Sequence, residues 1–400
     1  MRPLKIAIFS DSALPVLNGV SVSVDALIKA LRANGHSVFL YTTSYPGHRD
    51  SDPNVTRFPA IHTPWTKDYP LSVPPFYFWF HEFKRRNFDI VHTHSPFTVG
   101  FVGLRWAQSC EIPVVSTYHT LYDKYVHYVP FFPKFYLRYK IAKHTNFYYN
   151  CVDHVVTPSA AAKRWLNKHS VTKPVTVVPT GVPEPEQADG DALRRELGVS
   201  PLRKVMLYTG RLAVEKNMKT LLDASKIVFN STPNSELWVV GDGPARDALS
   251  REARGMGIGD QARFFGFVPR AGLGRFYAAA NVFTFCSITE TQGLVVNEAM
   301  SYGLPAVVIR GGGASASVEN GVNGFVVGND PDAFACQVLS LFQDPLLYEA
   351  MAERALAMSK RLTVRAMADS IIDVYHQALM CSGDRPPPHG THKDYARIRV

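Results

Sequence analysis

The chain has 400 residues, and its 43 Lys and Arg outnumber its 34 Asp and Glu, giving a formal net charge of +9 at pH 7. This length exceeds one ordinary core and predicts two domains, while 46% hydrophobic and 19% charged residues are typical of a folded soluble protein. No apolar run is long enough to span a bilayer, which argues against a transmembrane protein. The positive charge favours anionic partners: a phosphorylated donor, nucleic acid or an anionic lipid surface.

Cysteine usage and the first residues predict the compartment. The five cysteines are scattered without CxxC or metal-like spacing, which indicates reduced thiols in a reducing compartment. A strand-like run at residues 5–9 begins almost at once, so we expect no signal peptide. Both features predict a cytoplasmic protein.

Short apolar runs alternate with helical periodicity along the chain. Residues 20–34 place apolar side chains on one helical face before Gly35 ends the helix, and a polar segment at 181–203 separates two similar halves. This alternation predicts parallel sheets in two doubly wound α/β domains, with a ligand between them at the carboxyl ends of the strands. The predicted strands are residues 6–9, 38–42, 90–92, 114–116, 155–158, 175–179, 205–209, 237–241, 263–268, 282–286 and 306–309.

A glutamate pair, Glu290 and Glu298, is the most informative motif. A strand-like run at 282–286 leads into a polar turn that ends at Gly293, and an apolar-periodic helix follows. One carboxylate is therefore expected in the loop and the other about one turn inside the helix, with the anion-binding N–H groups of the helix start between them. This arrangement suits a nucleotide-sugar. The alternative is that the glutamates only complement the helix dipole.

Two cations follow the first strand of the second half. Arg211 and Lys216 straddle a short loop at the carboxyl end of the strand at 205–209. They could neutralise a leaving diphosphate, Arg as a planar fork and Lys as a point charge, or they could be a solvated pair bonding Glu215. The loop does not match a Walker motif, so triphosphate hydrolysis is disfavoured.

The first half has its own polar positions at strand ends. Gly19 lies in a strand–loop–helix connection that could cradle phosphate or could be an ordinary turn, and the absence of GxGxxG argues against a dinucleotide dehydrogenase. His94 and His119 each follow a predicted strand and could hydrogen-bond a sugar or acceptor hydroxyl. No acidic cluster accompanies them at ligand spacing, so a metal site is not predicted.

Two segments combine aromatic and basic residues, at 122–149 and 76–86. Such composition suits the plane of a membrane interface. It could also bind single-stranded nucleic acid through stacking and phosphate contacts. The remaining alternative is that the aromatic residues are core and the charges a solvated face.

Five strings occur in order along the chain: Asn18-Gly19-Val20; Gly210-Arg211 with Glu215-Lys216-Asn217; Val240-Gly241-Asp242-Gly243-Pro244; Phe265-Gly266-Phe267-Val268; and the glutamate pair with Gly293-Leu294-Val295. Together they resemble the retaining glycosyltransferases of family 4, with the GT-B fold, from Lys5 to about Tyr375. The string at 117–120, with Tyr122, looks most like the subset that glucosylates diacylglycerol. Mannosyl- and sulfoquinovosyl-transferring relatives are close competitors.

The resemblance implies a donor site in the second half. Arg211 and Lys216 would hold the diphosphate of the nucleotide-sugar. Val268 would lie beside the nucleobase. Glu290 would bind hydroxyls of the transferred sugar, and Glu298 would bind the ribose.

The resemblance also implies roles for main-chain groups and for one histidine. Gly19 would let main chain approach the donor phosphates, and main chain at Gly293 and Leu294 would contact sugar and phosphate. His119 would lie against the reacting sugar.

Two positions depart from the family pattern. Gln292 replaces the usual aromatic residue before the glycine, and the glycines of residues 312–316 lack the usual Pro-Glu. The second departure concerns a loop that we expect to be peripheral to the glutamate pair.

The implied architecture is two Rossmann-like domains facing across a cleft, which must close for reaction. Residues 1–182 would bind the acceptor and residues 183–365 the nucleotide-sugar. A helix at 366–380 would cross back to the first domain, and residues 381–400 would form a disordered tail.

The implied activity is transfer of a hexose, glucose, from a UDP-sugar to a glycerolipid such as 1,2-diacylglycerol, forming an α-glycosidic bond. The alternatives are a mannosyltransferase that uses GDP-mannose, and a non-catalytic basic module that binds lipid or nucleic acid. The implied enzyme needs no prosthetic group and no metal. It would sit on the anionic inner face of the plasma membrane through residues 122–149 and 76–86, without a nucleic-acid partner.

Overall fold

The structure is a computed structural model that describes residues 2–16, 18–61, 71–73, 79–122 and 133–383. Its first domain contains β1 (Lys5–Ser10), α1 (Gly19–Ala33), β2 (Ser37–Thr43), β3 (Val55–Phe58), β4 (Ala60–Ile61), β5 (Leu71–Ser72), α2 (Phe80–Arg85), β6 (Ile90–Thr93), α3 (Thr98–Ser109), β7 (Val114–Thr117), α4 (Lys134–Asn150), β8 (His154–Thr157), α5 (Ala160–Lys168) and β9 (Val175–Val177). Seven of these strands form one parallel sheet in the order β3-β2-β1-β6-β7-β8-β9. The short strands β4 and β5 pair antiparallel beside it.

The second domain contains α6 (Gly190–Glu196), β10 (Lys204–Thr209), α7 (Met218–Ser231), β11 (Ser235–Val240), α8 (Arg246–Gly255), β12 (Ala262–Gly266), α9 (Arg270–Ala279), β13 (Val282–Phe285), α10 (Leu294–Ser301), β14 (Ala306–Ile309), β15 (Gly324–Val327), α11 (Pro331–Gln343) and α12 (Pro345–Ser359). Its six strands are all parallel, in the order β12-β11-β10-β13-β14-β15. The last helix of the described chain is α13 (Val364–Gly383). The predicted doubly wound fold is therefore confirmed.

Each face of the first sheet is covered by its own apolar cluster. Along β1, Ala7 and Phe9 contribute to a cluster formed with α3, α4 and α5. The alternate residues Ile6 and Ile8 contribute to a cluster formed with α1 and α13. All four side chains are fully buried, as the alternation of a strand between two covered faces requires.

The polar segment at 181–203, predicted to separate the domains, is only partly a linker, because part of it folds into the second domain. Residues 190–196 form α6, and its Arg194 is buried within the second domain. The guanidinium donates to the carbonyl oxygens of Ala279, Ser200 and Arg203 and to the side chain of Asn281. Because these bonds satisfy the buried cation, a polar stretch here is part of a fold and not a linker.

The chain returns to the first domain beside the point at which it leaves. The N–H of Val182 donates to the carbonyl of Leu362 at 2.8 Å, and Val182 forms a parallel bridge with Thr363. A Cβ on Gly181 would collide with the main chain of Val364. The two passages between the domains therefore lie side by side.

Candidate active site

Lys216 and Glu290 meet in the second domain. Lys216 ends a 3-10 turn over Val214–Lys216 after β10, and Glu290 lies in the loop between β13 and α10. The Lys216 ammonium forms an ion pair with Glu290 Oε1. The side chains are 12% and 23% exposed, so the pair is partly shielded but can be reached from solvent. The structure thus brings together a cation and a carboxylate that are 74 residues apart.

The helix that follows Glu290 begins without a capping side chain. Gly293 is its N-cap, with φ 75°, and no acidic residue lies in its first turn. A Cβ on Gly293 would lie 2.6 Å from the Cβ of Ala314, so the close approach of two loops also requires glycine. The N–H groups at the start of α10, including that of Leu294, therefore form an anion-favouring end next to the Lys216–Glu290 pair.

The loop at 312–316 contacts the glutamate loop directly. The N–H of Gly313 donates to the carbonyl of Glu290 at 2.5 Å, and a Cβ on Gly313 would collide with the main chain of Thr291. The expectation that this loop is peripheral is therefore wrong. Its glycines allow it to lie against the segment that holds Glu290.

Glu298 occupies a more enclosed position on α10. Its Oε1 accepts from Arg270 Nη2 at 2.8 Å, and its Oε2 accepts from the Tyr277 hydroxyl at 3.1 Å. Burial raises the pKa of the Glu298 carboxyl, although Arg270 and the Tyr277 hydrogen bond both oppose this shift. Val268 lies two residues before Arg270 and is half-buried. Glu298 and Val268 thus belong to one corner of the domain.

Arg211 is separate from these contacts. Its side chain is exposed in the loop after β10, and its main-chain carbonyl accepts from the Tyr208 hydroxyl at 3.2 Å. No carboxylate of the described residues lies within ion-pair distance of its guanidinium. The structure therefore brings Lys216, but not Arg211, into contact with Glu290.

Three histidines cluster in the first domain, of which sequence reasoning identified only two. His94 Nδ1 lies 2.8 Å from His119 Nε2, and the ring centroids of His92 and His94 are 4.1 Å apart. Burial lowers the pKa of His119 to about 4 and that of His92 to about 3, and holds the pKa of His94 well below its usual value. All three rings are therefore neutral at pH 7. His92 could have been recognised because it lies two positions before His94 and so shares its side of an extended chain.

A small cavity adjoins the histidine pair. It has room for the centre of about one water molecule, roughly 10 Å³. Its wall includes His94, His119, Ser23 and Thr180, together with α13 residues Met367 and Ile371. The His94 Nε2 atom is buried without a hydrogen-bond partner among the described residues. The first domain therefore has a small recess beside His119 that is lined by both polar and apolar side chains.

The first loop contains one residue that sequence reasoning missed. Asp11 follows β1, and its carboxylate accepts from the Ser95 hydroxyl and from the N–H of Val99 at 3.0 Å at the start of α3. Burial raises the pKa of Asp11. Gly19 is the first residue of α1, and a Cβ there would meet nothing within 4 Å. The protein itself therefore leaves the space beside Gly19 open.

The two domains contact each other at Gln292. The Gln292 amide accepts the N–H of Thr180 at 2.8 Å and donates to the carbonyl of the same residue at 3.0 Å. Both residues are 6% exposed. A phenylalanine ring at this position could make neither bond.

The predicted membrane segments differ in what they expose. In α4, the rings of Phe135, Tyr139 and Phe147 are 76%, 60% and 46% exposed. In the second segment, Phe83 is fully buried in the first-domain core. Trp79 and Phe80 of the same segment are half-buried against this core, so a membrane contact by the described part of the segment stays a prediction. Residues 76–78 and 123–132, and 384–400 of the predicted tail, lie outside the described residues.

In the part of the chain that the structure describes, no group of three or more His, Cys, Asp or Glu side chains is arranged to hold a metal ion. None of the described helices combines the length and apolar character needed to cross a bilayer.

Comparison with known proteins agrees with this geometry. Residues 17–184 match the family described as Glycosyltransferase Family 4, and residues 189–358 match Glycosyl transferases group 1. Alpha-monoglucosyldiacylglycerol synthase of Streptococcus pneumoniae is 31% identical over 313 residues, which is 76% of this chain and 70% of that protein. The enzyme of the same name from Acholeplasma laidlawii is 29% identical and covers 93% of this chain and 96% of its own.

A more distant relative in sequence and a solved structure with a similar fold extend the comparison. A GDP-mannose-dependent alpha-mannosyltransferase of Corynebacterium glutamicum is 27% identical over 82% of this chain and 77% of its own. The crystal structure of Anabaena HepE in complex with UDP and glucose superposes with a TM-score of 0.73 at 20% identity, covering 94% of this chain and 100% of that one. Both halves match the family, and the structure has two parallel α/β domains with Glu290 before and Glu298 within a helix that begins without a capping side chain. This chain therefore belongs to the family 4 glycosyltransferases and is a hexosyltransferase of the GT-B fold.

Proposed function

We propose that this enzyme transfers glucose from UDP-glucose to a glycerolipid such as 1,2-diacylglycerol, with retention of configuration. The observation on which the proposal rests is the Lys216–Glu290 ion pair beside the uncapped start of α10. A carboxylate that accepts from sugar hydroxyls and a cation beside a helix N-terminus meet the needs of a sugar diphosphate.

The donor would lie along the second domain. Lys216 and the N–H groups at Gly293 and Leu294 stabilise the diphosphate as it takes on charge, and Glu290 holds the sugar hydroxyls. Arg211, whose side chain has no described acidic partner, turns to the same diphosphate. Because Lys216 and Glu290 already pair, their positions are set before the donor binds.

Glu298 would bind the ribose, and the neighbouring Val268 would contact the base. The Glu298 carboxylate is already oriented by Arg270 and the Tyr277 hydroxyl. Ribose hydroxyls would replace the Arg270 contact, which is the more exposed of the two.

The reaction would need no enzyme nucleophile. The acceptor hydroxyl attacks the anomeric carbon from the face of the leaving group, the bond between that carbon and the diphosphate oxygen breaks, and the hydroxyl proton passes to the departing phosphate. Gly19 leaves room for the phosphates, and His119, a neutral ring, hydrogen-bonds the sugar.

The acceptor would come from a membrane surface contacted by α4. Exposed rings next to cations suit an anionic lipid interface. The exposed cations of α4 are Lys134, Arg138, Lys140 and Lys143. The diacylglycerol-directed relatives support a lipid acceptor, and the mannosyltransferase relative keeps GDP-mannose as a second donor to be tested.

A donor and acceptor screen tests the proposal. The purified enzyme is incubated with UDP-glucose, UDP-galactose or GDP-mannose and detergent-dispersed diacylglycerol, and the anomeric configuration of the product is read by NMR. We expect an α-glucosyl lipid from UDP-glucose. A mannosyl product would select the alternative donor, and no consumption of any nucleotide-sugar with any lipid would refute the lipid proposal.

Two variants and a control test the site. We expect Lys216→Ala and Glu290→Ala to lower kcat/KM by about 10²-fold or more, because each removes a charge at the reacting diphosphate or sugar. Lys219→Ala removes a lysine three residues away that pairs with Glu252 on the surface, and it should retain activity. A non-catalytic binding module would be unaffected by all three changes.

Vesicle binding tests the membrane contact separately. We expect the enzyme to co-sediment with anionic vesicles at low salt and the double change Phe135→Ser, Tyr139→Ser to weaken this binding. Leu346→Ser, at an equally exposed apolar side chain of the second domain, is the control. Absence of binding at low salt would remove this part of the proposal.

A further inference from the structure

The loop between β13 and α10, which contains Glu290, is called the donor loop below. Gln292 joins this loop to the first domain by an unusual contact. Its side-chain amide makes both bonds to the main chain of Thr180, accepting the N–H and donating to the carbonyl, as a neighbouring β-strand would. Gln292 lies between Glu290 and Gly293 in the sequence. The contact therefore holds the loop of the Lys216–Glu290 pair.

The other end of the contact lies at the domain boundary and at the recess. Thr180 directly precedes Gly181, where the two passages between the domains run side by side. Its side chain approaches the Ser23 hydroxyl of α1 at 3.4 Å, and both residues line the recess with His94 and His119. A movement of the second domain away from this wall would break both Gln292 bonds.

Because the contact is buried, only a side chain with both a donor and an acceptor can pair both main-chain groups of Thr180. With Gln292 and Thr180 each 6% exposed, water cannot replace the lost bonds while the domains remain together. A side chain that offers only a donor, only an acceptor or neither leaves a main-chain group of Thr180 unpaired.

We propose that Gln292 is a positioning residue that aligns the donor loop with His119 of the first domain, so that Glu290 and His119 act on the same sugar. This inference rests on the proposed roles of Glu290 and His119. Glu298, which holds the ribose, makes its own contacts with Arg270 and Tyr277 within the second domain and does not depend on Gln292.

The test compares Gln292→Leu, which removes both bonds, with Gln261→Leu. Gln261 also donates its amide to two main-chain carbonyls, those of Pro233 and Ser235, but entirely within the second domain. We expect Gln292→Leu to lower kcat at least tenfold while the Kd for UDP, measured by calorimetry, changes by a smaller factor, because the ribose contact at Glu298 is retained. We expect Gln261→Leu to keep the wild-type kcat. Equal kcat in wild type and Gln292→Leu, or a loss of UDP binding as large as the loss of kcat, would overturn the proposal.

Gln292→Glu separates positioning from general damage. Its carboxylate can accept from Thr180 N–H but repels the Thr180 carbonyl, whereas the protonated acid can donate to it. Activity relative to wild type should therefore recover as the pH is lowered from 8 to 5.5 in Gln292→Glu and not in Gln292→Leu. Parallel pH profiles for the two variants would count against the proposal.

Hydrogen exchange tests the contact without any donor sugar. The amide of Thr180 should exchange at least tenfold faster in Gln292→Leu than in wild type or Gln261→Leu. Unchanged protection of this amide would overturn the inference even if UDP-glucose proves to be the donor. If exchange is faster but UDP-glucose is not consumed by wild type, the proposed donor has failed and the kcat comparison is made with the hexosyl donor that the screen identifies.

Discussion

The buried histidines should make the stability of this enzyme fall below neutral pH, and His92 allows the size of the effect to be worked out. Its ring is fully buried and bonded on both sides, Nδ1 to the Tyr375 hydroxyl at 2.8 Å and Nε2 to Thr117 Oγ1 at 2.7 Å. Burial, and secondarily the neighbouring His119, lower its pKa to about 3. An unfolded histidine titrates near pH 6.5, so the unfolded chain binds a proton that the folded chain refuses.

The sign and magnitude follow from linkage. A depressed folded pKa gives stability that is fully present above pH 6.5 and is lost progressively as the pH falls toward the folded pKa of about 3. Between pH 7.5 and 5.0, this single site lowers the free energy of unfolding by about 2 kcal/mol, because one pKa unit is worth about 1.4 kcal/mol.

Chemical unfolding of His92→Gln at these two pH values measures the effect. Wild type should lose about 2 kcal/mol more than His92→Gln between pH 7.5 and 5.0. His81→Gln, which replaces an exposed histidine of α2, should follow wild type. Equal losses in wild type and His92→Gln would mean that the folded protein accepts a proton at His92, and the reasoning would be refuted.

Three substitutions test other parts of the structure. Asn297→Leu should stabilise the protein by about 1–2 kcal/mol in calorimetry, because both amide atoms of Asn297 are buried without a hydrogen-bond partner among the described residues. Gly293→Ala should destabilise by about 1–3 kcal/mol in urea unfolding and lower activity, since its φ is 75° and the new Cβ would lie 2.6 Å from Ala314. Arg194→Ala should cost about 3 kcal/mol or more in the same assay, because it leaves buried main-chain carbonyls unpaired. An unchanged midpoint in any of these three would contradict the contact on which it rests.

Periodicity was enough to predict the interior of both large sheets and the edge strands β9 and β12, but not the edge strands β3 and β15. The central strands are short, fully buried apolar runs such as β13, which pattern alone identifies. Both missed strands are only partly buried: β3 is interrupted by Thr56 and Arg57, and β15 has only three apolar residues after Gly324. A strand at a sheet edge has one unpaired side and can fold with less apolar sequence, so an edge strand with a short or interrupted apolar run gives only a weak pattern.

The candidate site was predictable as a list of side chains but not as a set of contacts. Residues at the carboxyl ends of parallel strands can be identified from the pattern, and this led to Lys216 and Glu290. Their pairing depends on the exact course of two loops 74 residues apart, which has no sequence signal. The partner of Gln292 is the main chain of Thr180, and a main-chain group leaves no compositional trace. The assigned roles of these residues stay predictions until the variants are assayed.

The position of α13 bears on how the protein is made. One face of the first sheet, that of Ile6 and Ile8, is covered by α1 together with α13, whose Ile371 and Tyr375 are buried there. These residues are synthesised after the whole second domain. During translation, this face of the first domain therefore stays exposed until α13 has been synthesised. A chaperone that binds apolar surfaces would protect the first domain throughout that interval.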